Sequence, residues 1–333
     1  MPTEELIAQV LVAKYADHLP LYRQAQIYAR QGIQLDRSTL ADWVGRAAWY
    51  LRPLRDHILE RLRRSERLFA DETSAPVLDP GRGRTKTGQL WAYARDDRPW
   101  SGNDPPMVAY VYAADRKGER AEAHLGDFAG ILQVDGYGGY AALARRRQQI
   151  QLAFCWAHVR RKFYELADNS PVATEVLRRI AQLYVIEDDV RGRPAEQRRH
   201  VRNEQSRVVV DDLRSYLEAR NRQVSAKARL GEAIRYALTR WEGLSRFLDD
   251  GRVDLDSNIV ERSIRPLALN RKNALFAGSD EGGDNWAVIA TLIENCKING
   301  INPHSWLTQT LTKLANGHSA KNVGQLMPWT AVA

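Results

Sequence analysis

Along the first 66 residues apolar positions recur with the period of an α-helix. EELIAQVLVAKYADH spaces its apolar residues three and four apart. LPLYRQAQIYARQG does the same, with Pro20 suited to a first turn and Gly32 to a C-terminal cap. After the short IQL, DRSTLADWVGRAAWYLRPL predicts a helix whose start Asp36 or Ser38 can cap. RDHILERLRRSER then predicts a strongly charged connecting helix. Two short helices joined by a tight glycine-containing turn form the helix-turn-helix pattern. Its second member would offer Arg37, Ser38 and Thr39 near its start, where a recognition helix meets base edges. A plain helical hairpin with a solvated polar face fits the same pattern.

From residue 67 the period shortens. RLFADETSAPVL, QLWAYARDD and PMVAYVYAADRKGE read as strands, separated by the turn-rich DPGRGRTKTG and RPWSGNDPP. RAEAHLGDF predicts a short helix, and GILQVDGYGGY an apolar strand ending at Asp135. A helix over 139–147, a strand over IQLAFCWAH and the basic helix VRRKFYELAD follow. The order β-β-β-α-β-α-β-α is that of an α/β, ribonuclease-H-like mixed sheet, three antiparallel strands extended by parallel ones with helices on both faces. The expected organisation is therefore a helix-turn-helix region over 1–66, a first part of the core over 67–169, a helical insertion over 170–253, the last part of the core over 254–290 and a helical tail over 291–333. The insertion reads as helix only, interrupted by a loop at RGRPAEQRRH. SNIVERSIR has the spacing of a helix start capped by Asp256 or Ser257, FAGSDEGGDNW reads as a glycine-rich loop, and two helices close the chain.

Composition adds a partner class. Lys and Arg outnumber Asp and Glu by 49 to 41, which favours a polyanion such as nucleic acid, although a merely basic enzyme has the same surplus. Two cysteines cannot build a disulfide framework. With no run of about 18 apolar residues and no signal-like start, the expectation is a soluble, cytoplasmic protein that engages no membrane.

One stretch contradicts its own pattern. LFADETSAPVL carries Asp71 in the middle of an apolar strand, where an unpaired charge is costly. Asp135 ends a second apolar strand and Glu261 stands in the capped helix. In a ribonuclease-H-like core the first and fourth strands are neighbours, so Asp71 and Asp135 adjoin and the later helix lowers Glu261 onto them. Three converging carboxylates repel one another unless a cation is present. Hard oxygen ligands select Mg2+ or Mn2+. Two such ions stabilise the attacking and leaving oxygens of an in-line phosphoryl displacement. Glu72, one residue on, points to the opposite face of a regular strand and stays outside this set.

The runs ADETSAPVLDPGRGRTKTGQLWAYARDD, LQVDGYGGY, CWAHVRRKF, DSNIVERSIRPLALNRKNALFAGSDEGG and ENCKINGINPHSWL resemble, in order, the insertion-sequence-66-type bacterial DDE transposases. So does ADHLPLYRQAQIYARQGIQLDRSTLADWV, and the likeness spans nearly the whole chain. It implies a transposase that cuts DNA at element ends and joins the freed 3′-hydroxyl to a target, using two Mg2+ or Mn2+ ions on Asp71, Asp135 and Glu261. It further implies double-stranded DNA as partner, a homo-oligomer on DNA, and other element-encoded proteins. Family members usually carry a coiled segment and a cysteine-rich zinc region before the HLPLYRQ run. This chain starts almost at that run, so an N-terminally truncated, non-transposing DNA-binding regulator is the alternative expectation, and a related nuclease a third.

Several side chains stand beside the acids. Cys155-x-x-His158 invites a metal, but a structural zinc site takes four ligands and no second pair stands nearby in sequence. Cys/His pairs follow the second acid in several DDE families, which gives His158 a supporting role, the bland alternative being a strand-end cysteine and a helix-capping histidine. Arg160, Arg161 and Lys162, and beyond them Arg265, Arg271 and Lys272, can hold phosphates or solvate a helix face. Asn258, three residues before Glu261, can orient its carboxylate or cap the helix.

Overall fold

In the computed structural model, which describes residues 2–332, the chain opens with three helices, α1 (Glu4–Tyr15), α2 (Leu21–Arg30) and α3 (Arg37–Arg63). α1 starts where the Thr3 hydroxyl accepts the Leu6 N–H at 3.2 Å. The chain leaves α2 through Gly32 at φ +84, a left-handed turn that glycine adopts without strain. α3 corrects the sequence reading, because it runs unbroken through Pro53 where two helices were expected. Proline removes one helical N–H and crowds the carbonyl four residues back, that of Trp49. The helix continues nonetheless, since Leu40, Val44, Leu51, Leu54, Ile58 and Leu62 form one uninterrupted buried stripe. Burial on both sides of the proline outweighs the lost bond.

Five strands follow: β1 (Arg67–Asp79), β2 (Arg84–Arg95), β3 (Met107–Ala113), β4 (Gly130–Val134) and β5 (Ile150–Phe154). They lie in the order β3-β2-β1-β4-β5, with β1–β2 and β2–β3 antiparallel and β1–β4 and β4–β5 parallel. This is the mixed sheet, three antiparallel strands extended by two parallel ones, that the strand pattern predicts. Gly130, at φ +144, lets β4 start hard against β1: a Cβ there would sit 2.2 Å from the Glu66 carbonyl oxygen. Between strands stand α4 (Gly118–Leu125) and α5 (Gly138–Arg146), and α6 (Trp156–Tyr164) follows β5. The strand expected over IQLAFCWAH stops at Phe154. Trp156 already belongs to α6, its backbone N–H bonded to the Leu255 carbonyl and its indole to that of Leu244. Cys155 and His158 consequently lie on the first turn of a helix.

The insertion comprises α7 (Pro171–Val190), α8 (Ala195–Val201), a π-helical stretch over 202–206, α9 (Arg207–Asn221), α10 (Arg229–Leu238) and α11 (Trp241–Asp249). Its apolar faces share a second core with Ile131, Ala153, Trp156 and Phe163 at the β5 edge of the sheet. Then come α12 (Asn258–Ala274), α13 (Asp280–Ile298), α14 (Pro303–Ala315) and short 3-10 turns. The expected loop FAGSDEGGDNW is shorter than it reads. The Ser279 hydroxyl accepts the Gly282 N–H at 3.0 Å and starts α13 inside it, so both glycines are helical. α13 passes through residues 290 and 291 and packs on β3 and α3. The main core joins α1, α3, the sheet, α12, α13 and α14, so among the described residues the helices before β1 are packed into it and share no separate core. Among the described residues no helix is long and apolar enough to cross a membrane.

Candidate active site

Strand alternation sorts the two acids of β1. Asp71 lies opposite Ala92, which lies opposite Tyr110, and the Tyr110 hydroxyl donates to the Ser263 carbonyl in α12 at 2.5 Å. Asp71 therefore faces α12. Glu72 lies opposite Trp91, whose ring meets His124 of α4 and Tyr140 of α5 edge-on at 5.7 and 6.0 Å. Glu72 thus faces the other layer, where it pairs with Arg116, whose guanidinium lies over the Tyr137 ring.

β1 and β4 are registered Arg67–Ile131, Leu68–Leu132 and Phe69–Gln133. Two residues further along that register Asp71 comes abreast of Asp135, just past the end of β4. Glu261 sits on the first turn of α12, which packs on β1 and β2. Burial first, then the charge of Asp135, then Glu72 and Glu261, push the Asp71 carboxyl up to about 7, against one bond from the Glu72 N–H. A buried carboxyl that also feels the charges of Asp135 and Glu261 is a place where a divalent cation would relieve the conflict.

The aim of α12 is set in the loop before it. Gln133 of β4 donates to the Asp254 carbonyl (2.9 Å) and accepts the Asp254 N–H (3.0 Å). The Trp156 N–H bonds to the Leu255 carbonyl, and the Ser257 N–H to Cys155 Sγ at 3.3 Å. Asp254 also accepts from Arg67 of β1 (3.0 Å) and Arg198 of α8 (2.9 Å), and Arg198 donates to Glu187 of α7 (2.5 Å). Strand, insertion and the loop before α12 are tied into one buried charged network. At the start of α12 the Ser257 hydroxyl donates to Glu261 Oε1 at 3.0 Å, a partner that sequence reasoning missed. Asn258, singled out for that task, donates instead to Asp256 at 2.6 Å. His158 Nδ1 lies 3.7 Å from the same Glu261 oxygen, too far for a hydrogen bond.

The insertion reaches the site as well. From α10 the Tyr236 hydroxyl donates to the Asp135 carbonyl at 2.6 Å, and Arg240 reaches the Gly136 carbonyl. Periodicity held no signal for these, since a tyrosine on an amphipathic helix reads as core. Of the basic side chains, Arg160 and Arg161 are exposed on α6, and Lys162 lies over the Tyr236 ring at 4.5 Å. Arg265 and Lys272 are exposed on α12, whereas the half-buried Arg271 donates to the backbone and hydroxyl of Ser74 on β1. Arg37 and Ser38 at the start of α3 line the same open groove, of about 1100 Å3, as Arg271. Thr39, beside them, is half-buried.

The sequence matches the pattern of the Transposase IS66 family over residues 1–285 and that of the IS66 C-terminal element over 291–329. Three relatives from Sinorhizobium fredii (strain NBRC 101917 / NGR234) bear the names of uncharacterized proteins. y4qI is 51% identical over 99% of this chain and 62% of its own length. y4jD is 46% identical over 99% of this chain and 66% of its own length. y4hP is 40% identical over 97% and 61%. The chain therefore spans less than two thirds of the length of these relatives. With both family patterns running in order along it, the chain belongs to the IS66 family of transposases.

Proposed function

We propose that this chain carries the catalytic core of a metal-dependent DDE transposase with a ribonuclease-H-like sheet, which cleaves DNA at the ends of an insertion sequence and transfers the freed strand. The observation that supports the reading is the β1–β4 register, which on extension by two residues brings Asp71 abreast of Asp135, with Glu261 on the first turn of the α12 that packs on β1. Asp71, Asp135 and Glu261 supply carboxylate oxygens alone, the donor set that suits Mg2+ or Mn2+. Two such ions, when bound, stabilise the attacking and leaving oxygens of an in-line displacement at phosphorus. The chain's own part is positional. The sheet fixes two of the acids, the Ser257 hydroxyl orients Glu261, and Tyr236 braces the turn that holds Asp135. The α2–α3 pair, with Arg37, Ser38 and Thr39, would grip DNA. Arg160, Arg161, Lys162, Arg265, Arg271 and Lys272 would meet its phosphates, and His158 would support the third acid.

Supercoiled plasmid bearing candidate element ends, incubated with protein in Mg2+ or EDTA, tests this. Cleavage is expected in Mg2+ alone and lost in each of Asp71→Asn, Asp135→Asn and Glu261→Gln. Double variants should be hardly worse than single ones, because the three acids act as a unit. DNA binding in EDTA should survive in all of them. Binding with no metal-dependent cleavage by the parent chain would instead establish a DNA-binding regulator.

A further inference from the structure

Glu261 also keeps company with a sulfur and an imidazole. Cys155 Sγ, a ring nitrogen of His158 and a carboxylate oxygen of Glu261 all lie within 4.8 Å of one another. Sequence spacing argued against a metal here because the Cys-x-x-His pair stood alone, and the fold brings in the third donor from more than a hundred residues away. We propose that Cys155, His158 and Glu261 form a second metal site, distinct in chemistry from the three acids, that takes a thiolate-loving four-coordinate ion of the Zn2+ class and leaves its fourth position open.

Three features carry this. The spacing suits one ion: bond lengths of about 2.0–2.3 Å at tetrahedral angles put ligand atoms about 3.3–3.6 Å apart, and His158 Nδ1 lies 3.7 Å from Glu261 Oε1. His158 Nδ1 is also buried with no hydrogen-bond partner. A buried strand-end cysteine accounts for the sulfur but leaves that nitrogen unexplained, and a buried imidazole nitrogen without a partner is costly unless something meets it. Finally, the backbone N–H of Ser257, at the start of α12, points at the sulfur from 3.3 Å and ties α12 to Cys155.

The donor set decides the ion. Thiolate plus imidazole selects zinc-like metals over Mg2+, which prefers oxygen alone. Binding forms the sulfur–metal bond, breaks the S–H bond and releases that proton to solvent. Glu261 is common to this cluster and to the acids, so a zinc-class ion holds its carboxylate on the α6 side. The site stands whether or not the acids cut DNA.

The test is Co2+ titration of the full chain, because Co2+ replaces Zn2+ and reports its ligands in the absorption spectrum. We expect a thiolate-to-cobalt charge-transfer band with the strong ligand-field bands of four-coordination, bleached by stoichiometric Zn2+ and not by millimolar Mg2+. Cys155→Ser should abolish the charge-transfer band, and His158→Ala, at a half-buried position that spares the core, should weaken binding at least tenfold. Asp71→Asn and Cys296→Ser should leave the spectrum unchanged. The proposal is overturned by a parent spectrum without the band, by a band that persists in Cys155→Ser, or by its loss in Asp71→Asn. Plasmid cleavage in Mg2+ reads the acids and the cobalt band reads the sulfur, so each reading can fail without the other.

Discussion

Asp71 concentrates the electrostatic conflict of the site in a single side chain. Its carboxyl is held up at about 7 by burial and by Asp135, so between about pH 4 and 7 the folded metal-free chain keeps a proton that the unfolded chain has lost. The folded state binds more protons over that window, so stability must fall as pH rises through it, by up to about 1.4 kcal/mol per pH unit. In EDTA, urea unfolding at a series of pH values should show this loss, and Asp71→Asn should remove it. Mg2+ should raise stability more at pH 7 than at pH 4. An identical pH slope in the variant would mean that Asp71 is not the strained group.

At the scale of elements, helix α13 reads as a loop at its start because two adjacent glycines stand there, and the two serve different ends. A Cβ on Gly283 would lie 2.7 Å from the Tyr112 ring, so glycine is what lets α13 close on β3. A Cβ on Gly282 meets nothing closer than 3.6 Å. Gly283→Ala should cost about 1–3 kcal/mol by overpacking. Gly282→Ala should stabilise by up to about 1 kcal/mol through helix propensity. Thermal unfolding of the pair checks both signs, and equal shifts would contradict the packing argument. The insertion is likewise joined to the core through charge. Arg198 is fully buried between Glu187 and Asp254. Arg198→Met strands buried carboxylates and should cost about 3 kcal/mol in urea unfolding. A near-zero change would show the network to be replaceable by apolar packing.

Across the whole molecule, the groove lined by α3, α12 and the start of α13 gathers Lys14, Arg37, Arg46 and Arg271 from distant parts of the sequence, and Lys272 is exposed next to Arg271 on α12. Affinity for random duplex should fall steeply with salt as phosphate contacts release counterions. Arg37→Ala and Lys272→Ala should each flatten the slope of log affinity against log salt by roughly one. Arg271→Ala should flatten it less, because its guanidinium already serves Ser74. Slopes unchanged in Arg37→Ala and Lys272→Ala would show both side chains to be merely solvated. This result is independent of the metal experiments.

Local chemistry alone determined the helical start, the five strands and the oddity of Asp71, because periodicity and a misplaced charge are written within a few residues. The antiparallel meander followed from short connections, and the two parallel strands from the alternation of strand and helix after it. Tertiary packing decided the rest. Pro53 reads as a stop only until the buried stripe on either side of it is seen, and Gly282–Gly283 read as a loop until Tyr112 is opposite. Ser257 took the role expected of Asn258 because the loop before α12 is fastened to β4 and Cys155 by contacts spanning more than a hundred residues. Tyr236 and the meeting of Cys155, His158 and Glu261 lie beyond any sequence window for the same reason: side chains from α6, α10 and α12 become neighbours only once the insertion has folded back onto the edge of the sheet.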